Sequence, residues 1–127
     1  MRIQYDGQLI LTSLTVGFRG KSLLIRDVII DTGSSHTIFS PDILEEVGVK
    51  YEKGDYVFQA YGIGGIMPFY CKTLDEILIG DHSIKNVTID VGMLPKDHNG
   101  LLGLDILKTY NYTIDLGKMN LYVERDV

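Results

Sequence analysis

Ile29-Ile30-Asp31-Thr32-Gly33-Ser34-Ser35-His36-Thr37 is the stretch whose reading decides the fold. Residues 28–30 are an apolar run with the composition of a buried strand, and they deliver a carboxylate straight into a turn of Thr, Gly and Ser. An ionised carboxylate is costly to bury unless neighbours hydrogen-bond it or another group shares its charge or proton. Thr32, Gly33 and Ser34 offer short hydroxyls and backbone donors for that purpose. Taken alone, the stretch is also what an Asx-type turn closing a strand looks like. Its meaning therefore depends on what lies to either side.

Toward the N-terminus, residues 22–30 read as a strand rich in Leu, Ile and Val, entered through a turn at Arg19-Gly20-Lys21. Asp6-Gly7 is a favoured two-residue hairpin turn between residues 2–5 and 8–16, so the chain is expected to open as a β-hairpin. Toward the C-terminus, Thr37-Ile38-Phe39 is a short strand. Ser40-Pro41-Asp42 then combines an N-cap, a first-position proline and an acid in the first turn, which predicts a helix over residues 41–47 stopped by Gly48. Residues 56–61 and 66–71 read as strands joined by the glycine-rich tip Gly62-Ile63-Gly64-Gly65. Residues 73–79 and 84–91 form a further pair around Gly80-Asp81-His82. Residues 92–100 read as a loop. Leu101-Leu102-Gly103 leads into a short helical pattern over residues 104–109, and the tail alternates about Gly117-Lys118 as a hairpin or a pair of edge strands.

The 127 residues suit one domain spanning 1–127 and are too few for two. A hydrophobic share of 45% and a mean hydropathy of +0.09 provide material for a core. The net charge of −5 is spread without a basic block, which argues against nucleic acid as a partner. Cys71 is the only cysteine, so no internal disulfide forms; a reducing compartment and an ordinary buried thiol are expected. The first seven residues lack the apolar centre of a signal peptide, and no apolar run approaches the roughly 20 residues that span a bilayer. A cytoplasmic location without a membrane partner follows as an expectation. His36, His82 and His98 have no metal-ligand spacing, and Asp81-His82 and Asp97-His98 fall in predicted loops, so neither a metal nor another cofactor is expected.

Three features stand in a meaningful order: the acid in its Thr-Gly-Ser turn, the glycine-tipped hairpin, and an apolar-apolar-Gly step into a short helix. Asp31-Thr32-Gly33-Ser34-Ser35, Tyr61-Gly62-Ile63-Gly64-Gly65 and Leu101-Leu102-Gly103-Leu104-Asp105-Ile106-Leu107 resemble the catalytic turn, flap and closing motif of single-domain, retropepsin-like (retroviral-type, clan AA) aspartic proteases. The resemblance runs from Leu14 to Val123. Residues 102–107 through Ile114-Asp115-Leu116 are most similar to the retroviral-protease-like domains of cellular proteins, including the DNA-damage-inducible ubiquitin shuttles. It implies an all-β, closed, barrel-like fold with a flap hairpin and one or two short helices.

The physical chemistry agrees with that resemblance. Peptide hydrolysis without a metal or a covalent intermediate needs a base to deprotonate water and an acid to protonate the carbonyl oxygen. Two carboxylates so close that only one ionises supply both roles. One such turn is present, so the resemblance implies a homodimer in which a second copy supplies the second Asp31. It further implies that Asp31 is the shared-proton acid/base, that Thr32 locks the two turns across the dimer axis, and that Gly33 lets backbone approach the carboxylates. Ser34 can donate to the Asp31 carboxylate, which predicts a somewhat acid-shifted activity optimum. Gly62, Ile63, Gly64 and Gly65 would form a mobile tip that pairs with an extended peptide or unfolded protein, and Leu101 would line a substrate pocket. Tyr61 has two readings, a flap hydrogen-bonder as in the two-lobed pepsins or a strand aromatic packed on the core. One departure stands out: where retroviral enzymes pair an Arg with an Asp, this chain has Leu104 and Ser35.

Two other classes of function compete. A catalytically weak peptide-binding or assembly module would keep the same fold, although Asp31-Thr32-Gly33 is intact. A phosphoryl-accepting Asp31 would need Mg²⁺ carboxylates and alternating βα units, for which the chain has too few helical patterns.

Overall fold

The computed structural model describes residues 1–62, 65–95 and 98–124. Among the described residues ten strands and two short helices follow one another: β1 (Gln4–Tyr5), β2 (Ile10–Phe18), β3 (Lys21–Ile30), β4 (Ile38–Phe39), α1 (Pro41–Glu45), β5 (Val57–Gly62), β6 (Gly65–Ile79), β7 (His82–Gly92), β8 (Gly100–Leu102), α2 (Leu104–Leu107), β9 (Tyr112–Asp115) and β10 (Asn120–Val123). Six strands pair in the order β2-β3-β8-β4-β7-β6, and β6 returns to β2, which closes a barrel. Strand β1 adds to β2 and β5 to β6, while β9 and β10 pair separately. The expected all-β barrel with two short helices is the fold found.

Local chemistry explains most of the elements. Arg19 and Gly20 both have positive φ, 47° and 83°, and Phe18 faces Lys21, which is the two-residue turn whose twist suits a hairpin. Helix α1 is too short to persist alone. Its Ser40 hydroxyl accepts from the Asp42 N–H at 3.2 Å, and buried Leu44 and Val47 anchor it to the core. Gly48, at φ 86°, ends the turn that follows.

Four expectations change. The first hairpin does not turn on Asp6-Gly7 alone. Tyr5 faces Ile10, and the Asp6 carboxylate accepts from the N–H groups of Gln8 (2.9 Å) and Leu9 (2.7 Å), which makes a loop over residues 6–9. Residues 65–79 form one continuous strand instead of two. The break expected near Lys72 is absent because its buried ammonium reaches Asp55 at 2.6 Å and Glu52 at 3.1 Å, so the lysine stays in the ladder. Residues 1–3 lie alongside β10, with Ile3 N–H donating to the Met119 carbonyl at 3.0 Å, so the opening strand serves two sheets.

The change that matters most for function is in β3. Asp27 takes φ 57°, and the register with β2 slips between Thr12 and Leu14, so β3 carries a bulge. Side chains otherwise alternate, which would place residues 25, 27, 29 and 31 on one face. The bulge re-phases the strand: Ile25 and Val28 both face the core and are fully buried, as Ile30 nearly is, while Ile29 is only half-buried. Residues 28–30 are therefore not a run buried on both faces. Asp31 follows Ile29 outward, and without the bulge its carboxylate would be directed into the core.

Candidate active site

Asp31 extends the parallel pairing of β3 with β8 by one step, its N–H donating to the Leu102 carbonyl at 2.9 Å. The chain then turns. Gly33 N–H donates to Asp31 Oδ1 at 2.9 Å and Ser34 N–H to the Asp31 carbonyl at 3.2 Å. A Cβ at Gly33 would sit 3.2 Å from that carboxylate oxygen, a tight contact, so glycine suits the approach. Ser34 does not donate to Asp31: its hydroxyl donates to the His36 carbonyl at 2.8 Å, which straightens the outgoing arm. The acid-shifted optimum inferred from a Ser34 bond loses its basis in the single chain.

That arm becomes β4, which lies between β8 and β7. It pairs antiparallel with β8 through Ile38 and Leu101, and parallel with β7 through Ile38 and Asp90. Strand β8 is thus gripped by the strand before the turn and by the strand after it. The loop closes on α2. Leu104 N–H donates to the Ser34 carbonyl at 2.8 Å, and Gly103 N–H to the Thr37 hydroxyl at 3.0 Å. Gly103 is sterically required, because a Cβ there would fall 2.5 Å from the His36 carbonyl oxygen and 2.9 Å from that of Ser34.

The Asp105 carboxylate completes the frame. It accepts from the Thr37 N–H at 2.9 Å and from its hydroxyl at 2.7 Å. Sequence reading found no ion pair at Leu104 and Ser35; the tie between turn and helix is made instead by Asp105 and fully buried Thr37. Neither residue was singled out in the sequence. Asp105 was legible only as an acid in the first turn of α2, and nothing local pointed it at a residue so far back in the chain.

Pairing also sets out the floor beside Asp31. Ile29, Leu101, Ile38, Asp90 and Cys71 are successive register partners across β3, β8, β4, β7 and β6. Leu101 is half-buried in this row, whereas Leu102 is fully buried on the core side. Asp90 is buried, with His36 Nδ1 at 3.1 Å. Burial, and then the bond from its thiol to Asp90, push Cys71 above its ordinary pKa, which keeps it protonated. Thr32 is exposed and makes no hydrogen bond through its side chain to the described residues.

The glycine-tipped hairpin is built from β5 and β6. Tyr61 pairs with Ile66 and Gly62 with Gly65; Ile63 and Gly64, between them, lie outside the described residues, as does Asp97. Gly65 takes φ 106°, a conformation glycine adopts without strain. Tyr61 is 86% exposed, which removes the core-packing alternative for it. At the base of the hairpin Phe58 stacks on Phe69, and an apolar cavity of about 400 Å³ opens among Val57, Pro68, Phe69, Tyr51 and Met93. Lys72 pins the same region. Burial alone would lower its pKa, but Asp55 and Glu52 outweigh burial and hold it raised. Arg19 adds a second cation to Glu52 at 2.7 Å.

Among the described residues no group of three or more His, Cys, Asp or Glu side chains could hold a metal ion, and no helix is long and apolar enough to cross a membrane. The described helices are short and most strand pairs antiparallel, so the alternating βα units needed for a phosphoryl-accepting Asp31 are not among the described residues.

No curated protein matches the chain in sequence. Solved structures do share its fold. A retropepsin-like aspartic protease from Rickettsia conorii superposes with a TM-score of 0.66 at 21% identity, covering 94% of this chain and 92% of that one. The retroviral protease-like domain of Ddi1 from Leishmania major gives 0.68 at 16% identity, covering 95% and 92%. EIAV protease, solved with an inhibitor, gives 0.61 at 20% identity, covering 89% and 99%. The profile described as aspartyl protease matches residues 14–106, a span that contains the Asp31 turn, the hairpin and the Leu101-Leu102-Gly103 step. On that match the chain belongs to the aspartyl protease family, and its barrel is the retropepsin-like fold.

Proposed function

We propose that the chain is a homodimeric aspartic endopeptidase that hydrolyses peptide bonds with a water activated between two Asp31 carboxylates, one from each copy. The observation that carries this reading is the outward aim of Asp31. A bulge turns its side chain away from the core, Gly33 fixes one carboxylate oxygen, and the turn behind it is tied to both neighbouring strands and to α2. A half-exposed acid held this firmly is arranged to meet something. One copy has one such acid, and paired acid/base work needs two.

In the proposed reaction the ionised Asp31 takes a proton from water as the water oxygen bonds to the carbonyl carbon, while the protonated Asp31 donates to the carbonyl oxygen. The first then gives its proton to the leaving nitrogen as the C–N bond breaks, and the second takes a proton back from a hydroxyl of the tetrahedral carbon. Thr32, exposed on the turn, would bond across the two-fold to its counterpart. Gly33 leaves room for backbone beside the acids, and Ser34 and Leu101 would line the substrate cleft. Tyr61, Gly62, Ile63, Gly64 and Gly65 would act as the flap that pairs with an extended peptide and excludes water. This reading takes residues 1–127 as one domain working in a reducing, cytoplasmic setting, where the free Cys71 thiol is stable.

The test is cleavage of an unfolded protein by the wild-type chain and by Asp31→Asn. The substitution keeps size and shape but removes the general base, and is expected to lower kcat by at least about 10³-fold. Equal rates for the two chains would rule out the mechanism.

A further inference from the structure

We propose that His36, held by the buried carboxylate of Asp90, is a specificity-determining residue of the cleft that selects substrates with an acidic side chain near the scissile bond. The inference rests on the protease reading above and gives it a substrate class.

The arrangement begins with Asp90. It lies in the row Ile29, Leu101, Ile38, Asp90, Cys71, on the face that Asp31 joins two residues after Ile29. The hydrophobic members of that row are half-buried, but Asp90 is only 6% exposed. A carboxylate so buried needs partners. It has two side-chain partners among the described residues: His36 Nδ1 stands 3.1 Å from Oδ2, and the Cys71 thiol donates to Oδ1 at 3.4 Å. No Lys or Arg side chain among the described residues pairs with it.

His36 presents the opposite case. Its side chain is 65% exposed, and it sits on the outgoing arm of the turn, where its backbone is locked by Ser34 Oγ and by the close fit of Gly103. Asp90 therefore fixes the ring through Nδ1 and leaves Nε2 directed to solvent. A ring protonated on both nitrogens gives one N–H to Asp90 and presents the other, with its positive charge, outward. A substrate carboxylate in reach gains a charge-assisted hydrogen bond there. An amide of the same shape gains only a neutral one, and a basic side chain meets a like charge. Asp31 would repel an acidic substrate; His36 reverses that preference on its own side of the cleft. His36 is the residue that touches substrate, and Asp90 is a positioning residue acting through it.

The experiment uses the full-length chain and peptide pairs of one sequence that differ only in Glu against Gln at each position flanking the cleaved bond. It is run near pH 5, where the glutamate of the peptide is ionised and the glutamine is neutral. At one position the wild type is expected to favour Glu by about tenfold in kcat/KM, expressed in KM. H36Q and D90N should bring that ratio toward one. Because each ratio compares two peptides on the same preparation, a variant that folds less completely does not alter it. The same pairs bound to the Asp31→Asn chain should show the preference in Kd, and H36Q combined with Asp31→Asn should lose it. A ratio near one at every position in the wild type, or an undiminished ratio in H36Q, would overturn the inference while leaving the protease reading intact. Wild-type cleavage that survives Asp31→Asn would overturn the protease reading, and the Kd ratios would still decide the role of His36.

Discussion

The turn at Asp31 and the hairpin tip at Gly65 are both short, glycine-containing reversals, yet they are held in opposite ways. The turn is fixed from every side: Gly33 on the carboxylate, Leu102 on the Asp31 N–H, Leu104 on the Ser34 carbonyl, Asp105 on Thr37. Among the described residues, those flanking the hairpin tip pair through their own ladder, with Tyr61 and Ile66 exposed. The proposed hydrolysis of a peptide asks for a preorganised floor and for a cover that can move. Under the proposed mechanism the floor would still need a second acid, and the hairpin would close on a bound peptide.

Substitutions at the glycines on either side should separate the two regions. Gly103→Ala drives a methyl group against two floor carbonyls, with no flexible side chain to yield. It is expected to cost about 3 kcal/mol in denaturant unfolding, or to prevent folding. Gly65→Ala meets no atom within 4 Å and only strains a positive φ, so it should cost about 1 kcal/mol. Its effect on cleavage should be felt as a raised KM, through the tip. Equal stability losses at the two sites would break the comparison.

A smaller effect tests how the base of the hairpin is pinned. The Lys72 ammonium, then the Glu52 N–H, hold the Asp55 carboxyl below its ordinary range. A carboxylate depressed in the folded state stabilises the fold above its unfolded pKa and loses that contribution as pH falls through the folded value. Wild-type Tm should therefore fall more steeply than that of Asp55→Asn as pH drops below about 4, where unfolded carboxylates protonate. The gap should be modest, because Asp55 is partly exposed and solvent screens the pair. Parallel slopes would mean that the Lys72 cluster does not anchor the hairpin.

Much of this was legible in the residues. The order of the Asp31 turn, the glycine tip and the Leu101-Leu102-Gly103 step carried the resemblance that implied the barrel, and Ser40-Pro41 gave α1 from a local capping signal. The bulge at Asp27 was not legible. A left-handed aspartate inside an apolar strand has no local cause; it appears only when β3 takes its register against β2. Ser34 was misread for a similar reason, since the His36 carbonyl and the Asp31 carboxylate are both near it in sequence and geometry alone chooses between them. The Thr37–Asp105 and His36–Asp90 contacts join residues far apart in the chain, and periodicity carries no information about such pairs.

The central claim is that catalysis needs an Asp31 from each of two copies, and mixing subunits tests it most directly. A fixed amount of wild-type chain is allowed to exchange with a ninefold excess of Asp31→Asn chain, and cleavage is measured against the wild type alone. If the site is shared across a two-fold, random pairing leaves about one tenth of the original activity. Undiminished activity in the mixture would contradict the account, because each wild-type chain would then be catalysing without a partner's acid.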